Sequence, residues 1–287
     1  MELRKATRKK AKIRLGYSSV SGGGKTYSAL LTAKGLCGDW TKVAIIDSEN
    51  YSADLYAHLG DFNVLPIAAP FSPERYIEAI RSCERAGMEV IIVDSITHEW
   101  DGKGGCLEIV ESLGGKYQDW AKVTPRHQAF IDAILQSPSH IITTVRRKQD
   151  YEMTKDDRGK VKVEKGGLRE ITREGFEYEL TVNLELDSRH NATASKDRTG
   201  LFMGKPAFVP SEKTGELIAK WCAQGEEAFG VIKPGSDWYT WVEACNTGRE
   251  LVELYNKHKA EVDSNPLLQQ LIAGRRNAIN GKTLAAA

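Results

Sequence analysis

The chain has 287 residues, with 40 Lys and Arg against 39 Asp and Glu, for a net charge of +1. That balance excludes a uniformly basic nucleic-acid binder, and no apolar run reaches the ~18–20 residues of a membrane span. Five cysteines (Cys37, Cys83, Cys106, Cys222, Cys245), odd in number and without a CxxC pair, exclude a disulfide framework and a cysteine zinc site and point to a reducing cytosol. A hydrophobic content of 41% is that of an ordinary globular chain, and the length allows one large domain plus a small appendage.

Seven Lys and Arg in the first fourteen residues lead into a short strand, Lys12 to Tyr17. After the glycines at 22–24, helical spacing of apolar residues predicts a helix from Lys25 to Leu36, closed by Gly35 and Gly38. Val43 to Ile46 is a buried-strand run that ends on Asp47-Ser48-Glu49. Pro73 to Gly87 reads as a helix, Val90 to Val93 as a second buried strand ending in Asp94, Thr124 to Gln136 as a helix and His140 to Val145 as a third strand. The alternation predicts an α/β fold with a mainly parallel sheet flanked by helices.

Residues 146–174 carry ten Lys and Arg and seven Asp and Glu. Asp157-Arg158-Gly159 lies between Glu152–Thr154 and Lys160–Val163, which predicts an exposed, charged hairpin or mobile loop. Phe176 to Leu186 and Ala192 to Ser195 return to strand pattern. Beyond Glu226 the strand signals stop, and Trp238–Cys245, Gly248–Lys259 and Pro266–Asn277 read as short amphipathic helices. The expected division is a core of residues 1–225 and a helical appendage of 226–287.

The segment Ser19-Val20-Ser21-Gly22-Gly23-Gly24-Lys25-Thr26 fits the phosphate-binding loop GxxxxGK-S/T at every fixed position but the first, where Ser19 replaces glycine. Glycines let successive N–H groups converge on phosphate oxygens, and the helix N-terminus adds partial positive charge. Ser21, Gly22, Gly23, Gly24 and Lys25 are therefore expected to cradle ATP, with Thr26 and Asp94 holding Mg²⁺. Ser95, rather than Glu, follows Asp94, which disfavours an AAA+-type site. The base must then come from elsewhere: Glu49, beyond the edge of the first buried strand, is expected to orient or deprotonate the attacking water, with Glu99 as the competitor. Thr143 and Thr144 end the third strand as candidate γ-phosphate sensors or simply as good strand residues.

A phosphate loop, a strand ending in Asp-x-Glu and a strand ending in Val-Asp-Ser together resemble the RecA-type ATPase core. Lys196-Asp-Arg-Thr-Gly200 is similar to the Lys-x-Arg element of recombinases, in which a cation reaches the γ-phosphate of the adjacent subunit. With His140–Arg146, the charged hairpin and Gly175-Phe-Glu-Tyr178, the chain resembles the compact phage RecA-like ATPases of the Sak group over about residues 13–221. That resemblance implies single-strand annealing recombination in the cytoplasm of a bacterial host, a single-strand-binding protein as partner, and a homo-oligomer, ring or filament, with Lys196 and Arg198 acting in trans. Read from charge alone, Lys196 and Arg198 are a solvated turn.

Single-stranded DNA contact, if present, must come from local cations, and Arg146, Arg147, Lys148, Lys160 and Lys162 on the segment after the third strand are the candidates. The alternative is a solvated hairpin whose acids balance its cations. The glycine-rich stretch from Trp100 to Lys122, expected to be a mobile loop, and the basic N-terminus are further candidates. The histidines show no metal spacing and are expected to be structural. The expected function is ATP hydrolysis by an oligomer that binds single strands and promotes annealing or strand exchange. The alternatives are a nucleotide-switched adaptor or loader acting on a protein partner, and a P-loop phosphotransferase.

Overall fold

The computed structural model of the protein describes residues 7–155, 161–225, 237–264, 268–269, 271–276 and 279, with only the backbone described for 151–155, 161–166 and 264. The chain divides into two compact units. One comprises Lys12–Glu84 and Met88–Ala223, and the other Met1–Ala11, Arg85–Gly87 and Gln224–Ala287.

The larger unit is built on an eight-stranded sheet: β1 (Arg14–Ser19), β2 (Val43–Asp47), β3 (Asn63–Pro66), β4 (Val90–Asp94), β5 (His140–Lys155), β6 (Val161–Glu170), β7 (Val182–Leu186) and β8 (Ala192–Asp197). The strand order is β3-β2-β4-β5-β1-β7-β8, with β6 paired to β5 alone. Pairings from β3 through β7 are parallel, while β8 on β7 and β6 on β5 are antiparallel. The continuous apolar runs are strands buried on both faces. Val43, Ile45, Val90, Ile92 and Ile142 pack on one side, and Ala44, Ile46, Ile91, Val93 and Ile141 on the other. Period-two alternation thus feeds two separate cores from the same strands.

Helices α1 (Lys25–Cys37) and α7 (Glu212–Cys222) contribute to the first core, and α2 (Pro73–Arg85) and α5 (Trp120–Gln136) to the second. Gly35 does not close α1. It lies inside the helix, where any side chain would run into the backbone of Glu212, and Gly215 on α7 makes the reciprocal approach to Thr32. The terminator is Gly38, in the left-handed region at φ +73°.

Between β4 and α5 the expected mobile loop is instead helical, with α3 (Thr97–Asp101) and α4 (Cys106–Ser112). Trp100 stacks on Trp120 at 5.5 Å between centroids, and this contact begins α5 four residues before the expected Thr124. The expected strand from Phe176 is also corrected. Gly175, at φ +90°, precedes a helical turn, α6 (Phe176–Glu179), that buries Phe176, and the strand proper starts at Val182. The third predicted strand runs on past Val145 as β5 and pairs with β6 as the expected hairpin, whose Asp157-Arg158-Gly159 turn lies outside the described residues.

In the smaller unit, α8 (Asp237–Ala244), α9 (Gly248–Lys257) and α10 (Lys259–Ser264) follow one another, and Val242, Cys245 and Leu251 form a small core with Trp238 and Leu254. The predicted Pro266–Asn277 helix falls partly outside the described residues. Among the described residues, no helix is long and apolar enough to cross a membrane.

Candidate active site

The carboxyl ends of β1, β2 and β4 and the end of the parallel-paired part of β5 converge on one cavity of about 450 Å³, lined by Ser21, Gly22, Gly24, Lys25, Thr26, Glu49, Asp94 and Arg146 among others. This is the crevice where open α/β sheets bind ligands. Gly22 and Gly24 adopt φ +78° and +82°, which turns the loop sharply into α1. Ser28 is the residue that first bonds back, to Gly24 O at 2.9 Å, so the preceding first-turn amides are left to an incoming acceptor.

Ser19 occupies the space that a glycine would leave open at the head of the loop. Its hydroxyl donates to Leu186 O at 2.9 Å and sits against Gly23, where any Cβ would strike it. The departure from the loop pattern is therefore accommodated, because Gly23 supplies the missing room.

The Lys25 ammonium folds onto the loop, donating to Val20 O at 3.0 Å and Ser19 O at 3.3 Å. Burial lowers its pKa, Asp94 opposes that shift and the Arg146 cation reinforces it. Asp94 is buried and accepts from Thr26 Oγ1 at 2.6 Å and from Thr144 Oγ1. Burial raises its pKa against the pull of those two hydroxyls. Thr144 thus donates to the Asp94 carboxylate, and Thr143 donates to Leu15 O within the sheet at 3.4 Å.

Glu49 enters the cavity because Asp47 shapes the turn that carries it. Asp47 accepts from Glu49 N at 2.6 Å and from Ala53 N at 3.0 Å. Glu49 Oε1 accepts from Ser95 Oγ at 3.0 Å, and Oε2 is paired with the Arg146 guanidinium. The competing acid, Glu99, does not line this cavity. It is fully buried, with His127 Nδ1 3.1 Å away and the Cys106 thiol donating to it at 3.1 Å.

Of the expected DNA contacts, Arg146 lies in this cavity. Arg147 is held by Glu185 at 2.6 Å and donates to Leu168 O at 2.7 Å. Lys148 is exposed, Lys160 lies outside the described residues, and for Lys162 only the strand backbone is described. Lys196 lies on β8 and Arg198 just beyond it, and neither lines this cavity. Arg198 donates to Tyr178 O at 3.2 Å, whereas the buried Lys196 Nζ meets no hydrogen-bond partner among the described residues. Burial, and next to it the Arg198 cation, lowers the Lys196 pKa. Between them, Asp197 accepts from the backbone amides of Thr199, Phe202 and Met203 at 2.7–3.0 Å, which fixes the turn.

The family model for AAA domains, AAA_24, matches residues 11–209, from the start of β1 to beyond β8. The chain belongs to this AAA domain family. It is a P-loop ATPase, and the cavity lined by Gly22, Gly24, Lys25 and Thr26 is the candidate site for its ATP. Ser95, which on sequence disfavoured an AAA+-type site, is therefore no bar to an AAA domain; its hydroxyl instead serves Glu49. A comparison with curated proteins finds no match.

Sequence reasoning missed Arg146 as a cavity residue, the Ser95 contact, and the wall formed by Tyr56, His190, Val209 and Pro210. The first two depend on how β2, β4 and β5 end side by side. For the wall, the local signal was Asp187 and Asn191 bracketing a turn in which both sides of the carboxylate are bonded.

Proposed function

We propose that this AAA-domain ATPase is a recombination protein of the RecA-like, Sak-type kind, which oligomerises, binds single-stranded DNA and promotes annealing or strand exchange in a bacterial cytoplasm. The observation that carries the reading is Lys196 on β8, beside the turn that Asp197 fixes, whose buried Nζ meets no hydrogen-bond partner among the described residues and lies off the candidate ATP cavity. Swung outward, that ammonium would suit a phosphate presented by a neighbouring subunit, with Arg198 beside it. Such an arrangement makes hydrolysis depend on assembly.

Within one subunit, the loop amides and Lys25 bind the phosphates. Thr26 and Asp94 offer hard oxygen donors 2.6 Å apart and would hold Mg²⁺, which neutralises phosphate charge during transfer. Glu49 takes a proton from water as the water oxygen bonds to the γ-phosphorus and ADP leaves with the electron pair of the broken bond. Lys148 and the cations of the β5–β6 ribbon are the proposed phosphate contacts to DNA, and the smaller helical unit is the proposed dock for a single-strand-binding protein.

A second reading, a nucleotide-switched loader acting on a protein partner, is favoured by one observation: Arg146 and Arg147 are already engaged by Glu49 and Glu185. Steady-state ATPase rate against protein concentration, with and without single-stranded DNA at two salt levels, separates them. The recombination reading expects a rate that rises with concentration and salt-sensitive DNA binding. An oligomer with no affinity for single strands supports the loader.

A further inference from the structure

Three side chains outside the ATP cavity meet at a place that no spacing in the sequence announces. Glu99 on α3, Cys106 at the start of α4 and His127 on α5 come from successive helices between β4 and β5, and all three are buried. Among the described residues they are the one group of His, Cys, Asp and Glu whose donor atoms all lie within 4.8 Å of one another.

Their geometry matches a coordination shell. His127 Nδ1 is 3.1 Å from both Oε1 and Oε2 of Glu99, so it faces the open edge of the carboxylate and aligns with neither oxygen alone. Cys106 Sγ is 3.1 Å from Oε1 and 3.9 Å from Nδ1. Two oxygens, a nitrogen and a sulfur thus give four donor atoms from three side chains. Bonds of about 2.3 Å to sulfur and about 2.0–2.2 Å to nitrogen and oxygen set the ligands of a tetrahedral zinc ion ~3.3–3.6 Å apart. The separations of 3.1 and 3.9 Å bracket that range.

The donor chemistry selects the ion. A thiolate and an imidazole favour zinc over magnesium or calcium, which take oxygen ligands. One carboxylate and one thiolate cancel the charge of a divalent cation, as burial requires. The surroundings also have use for a clasp. Helices α3 and α4 are only five and seven residues long, and the apolar packing beside them is a small cluster of Cys106, Val110 and Val123, separate from the two sheet cores. At the head of α3, the Thr97 hydroxyl accepts from Arg146 N at 2.9 Å, so a fixed α3 backs the strand end that carries Arg146.

We infer that Glu99, Cys106 and His127 bind a structural zinc ion that clasps α3 and α4 onto α5. Binding sends the thiol proton to solvent, and the imidazole carries its proton on Nε2 while Nδ1 coordinates. None of the three residues lines the ATP cavity, so the inference stands apart from the recombination reading and is read out by metal content rather than turnover.

The test refolds the full chain under reducing conditions with Zn²⁺, in excess Mg²⁺ so that Thr26 and Asp94 do not compete, and counts the zinc retained after gel filtration by atomic emission. The wild type and the control Cys37→Ala are expected to retain about one equivalent. In Cys106→Ala, zinc affinity should fall by more than the ~10- to 100-fold typical of losing an outer-shell partner. A wild type that retains no zinc overturns the inference, and so does a folded Cys106→Ala that retains as much as the wild type. Should Cys106→Ala fail to fold, cobalt substitution of the wild type and of Cys37→Ala decides the matter. A thiolate-to-cobalt charge-transfer band with the intense visible bands of a four-coordinate ion supports the site. A weak six-coordinate spectrum without the thiolate band leaves the three residues as a hydrogen-bonded cluster and overturns it.

Discussion

The carboxylate of Glu49 is held between two residues from different strands: Ser95 donates to one oxygen at 3.0 Å, and the Arg146 guanidinium is paired with the other. Arg146 is the last parallel-paired residue of β5, opposite Ser19, and Arg147 after it begins the ribbon with β6. The acid of the candidate ATP cavity is therefore tied to the strand that leaves the sheet.

Replacing Glu49 by Gln keeps the size and removes the proton acceptor. Turnover is expected to fall about 10²- to 10³-fold with ATP binding retained, as read by single-turnover hydrolysis and nucleotide titration. Glu99→Gln should act differently, lowering stability by about 1–3 kcal/mol through the weakened bond to buried His127, with hydrolysis per folded molecule unchanged. Full hydrolysis by the Glu49 variant would remove it as the base.

Arg146→Ala frees Glu49 and removes a cation from the ATP cavity. Slower hydrolysis and a changed ATP affinity are expected, without loss of affinity for single-stranded DNA measured by fluorescence anisotropy. A variant that loses DNA affinity while hydrolysing normally would return Arg146 to the DNA surface.

The trans reading of Lys196 and Arg198 predicts complementation. The double variant Lys196→Ala/Arg198→Ala should lose about 10³-fold or more in hydrolysis. Mixed with Glu49→Gln subunits, it should recover part of the rate, since each partner supplies what the other lacks. No recovery at any mixing ratio would sink the trans assignment.

His140 gives a pH dependence. Its Nδ1 accepts from Ile13 N at 3.1 Å, and burial, aided by the Lys12 and Arg14 cations, lowers its pKa from 6.5 to about 3. Between those values the unfolded chain binds the proton and the folded chain does not, so stability rises with pH across that window. The contribution is fully present above pH 6.5 and lost as pH falls toward 3, amounting to about 2 kcal/mol by pH 5. Urea midpoints measured from pH 7 to pH 5 should fall less steeply for His140→Gln than for the wild type. Parallel slopes would refute the assignment.

The sheet was legible because strands buried on both faces are written as unbroken apolar runs, as at Val43–Ile46 and Val90–Val93. The phosphate loop was legible because its geometry demands particular residues at fixed spacing. The edge strand β3 and helix α7 were not. Asn63–Pro66 is four residues with two exposed ends, and α7 earns its place through the Gly35–Gly215 approach, a contact between distant segments. The contacts of Thr144 with Asp94 and of Arg146 with Glu49 were not legible, because a linear string shows that β5 carries hydroxyls and cations, not that it lies between β1 and β4. Phe176 has strand character alone, yet the left-handed Gly175 before it sets a helical turn.

Ser19 and Gly23 also constrain the order in which this loop can change over generations. Gly23 has no left-handed backbone to protect, so its intolerance of a methyl group comes from the Ser19 side chain, with the Val20 carbonyl as a lesser obstacle at 3.2 Å. An alanine at 23 becomes accessible only once Ser19 is replaced by glycine, a step that forfeits the bond to Leu186 O. The two positions are mutually entrenched, and a chain that carries the serine is steered to keep the middle glycine of the three.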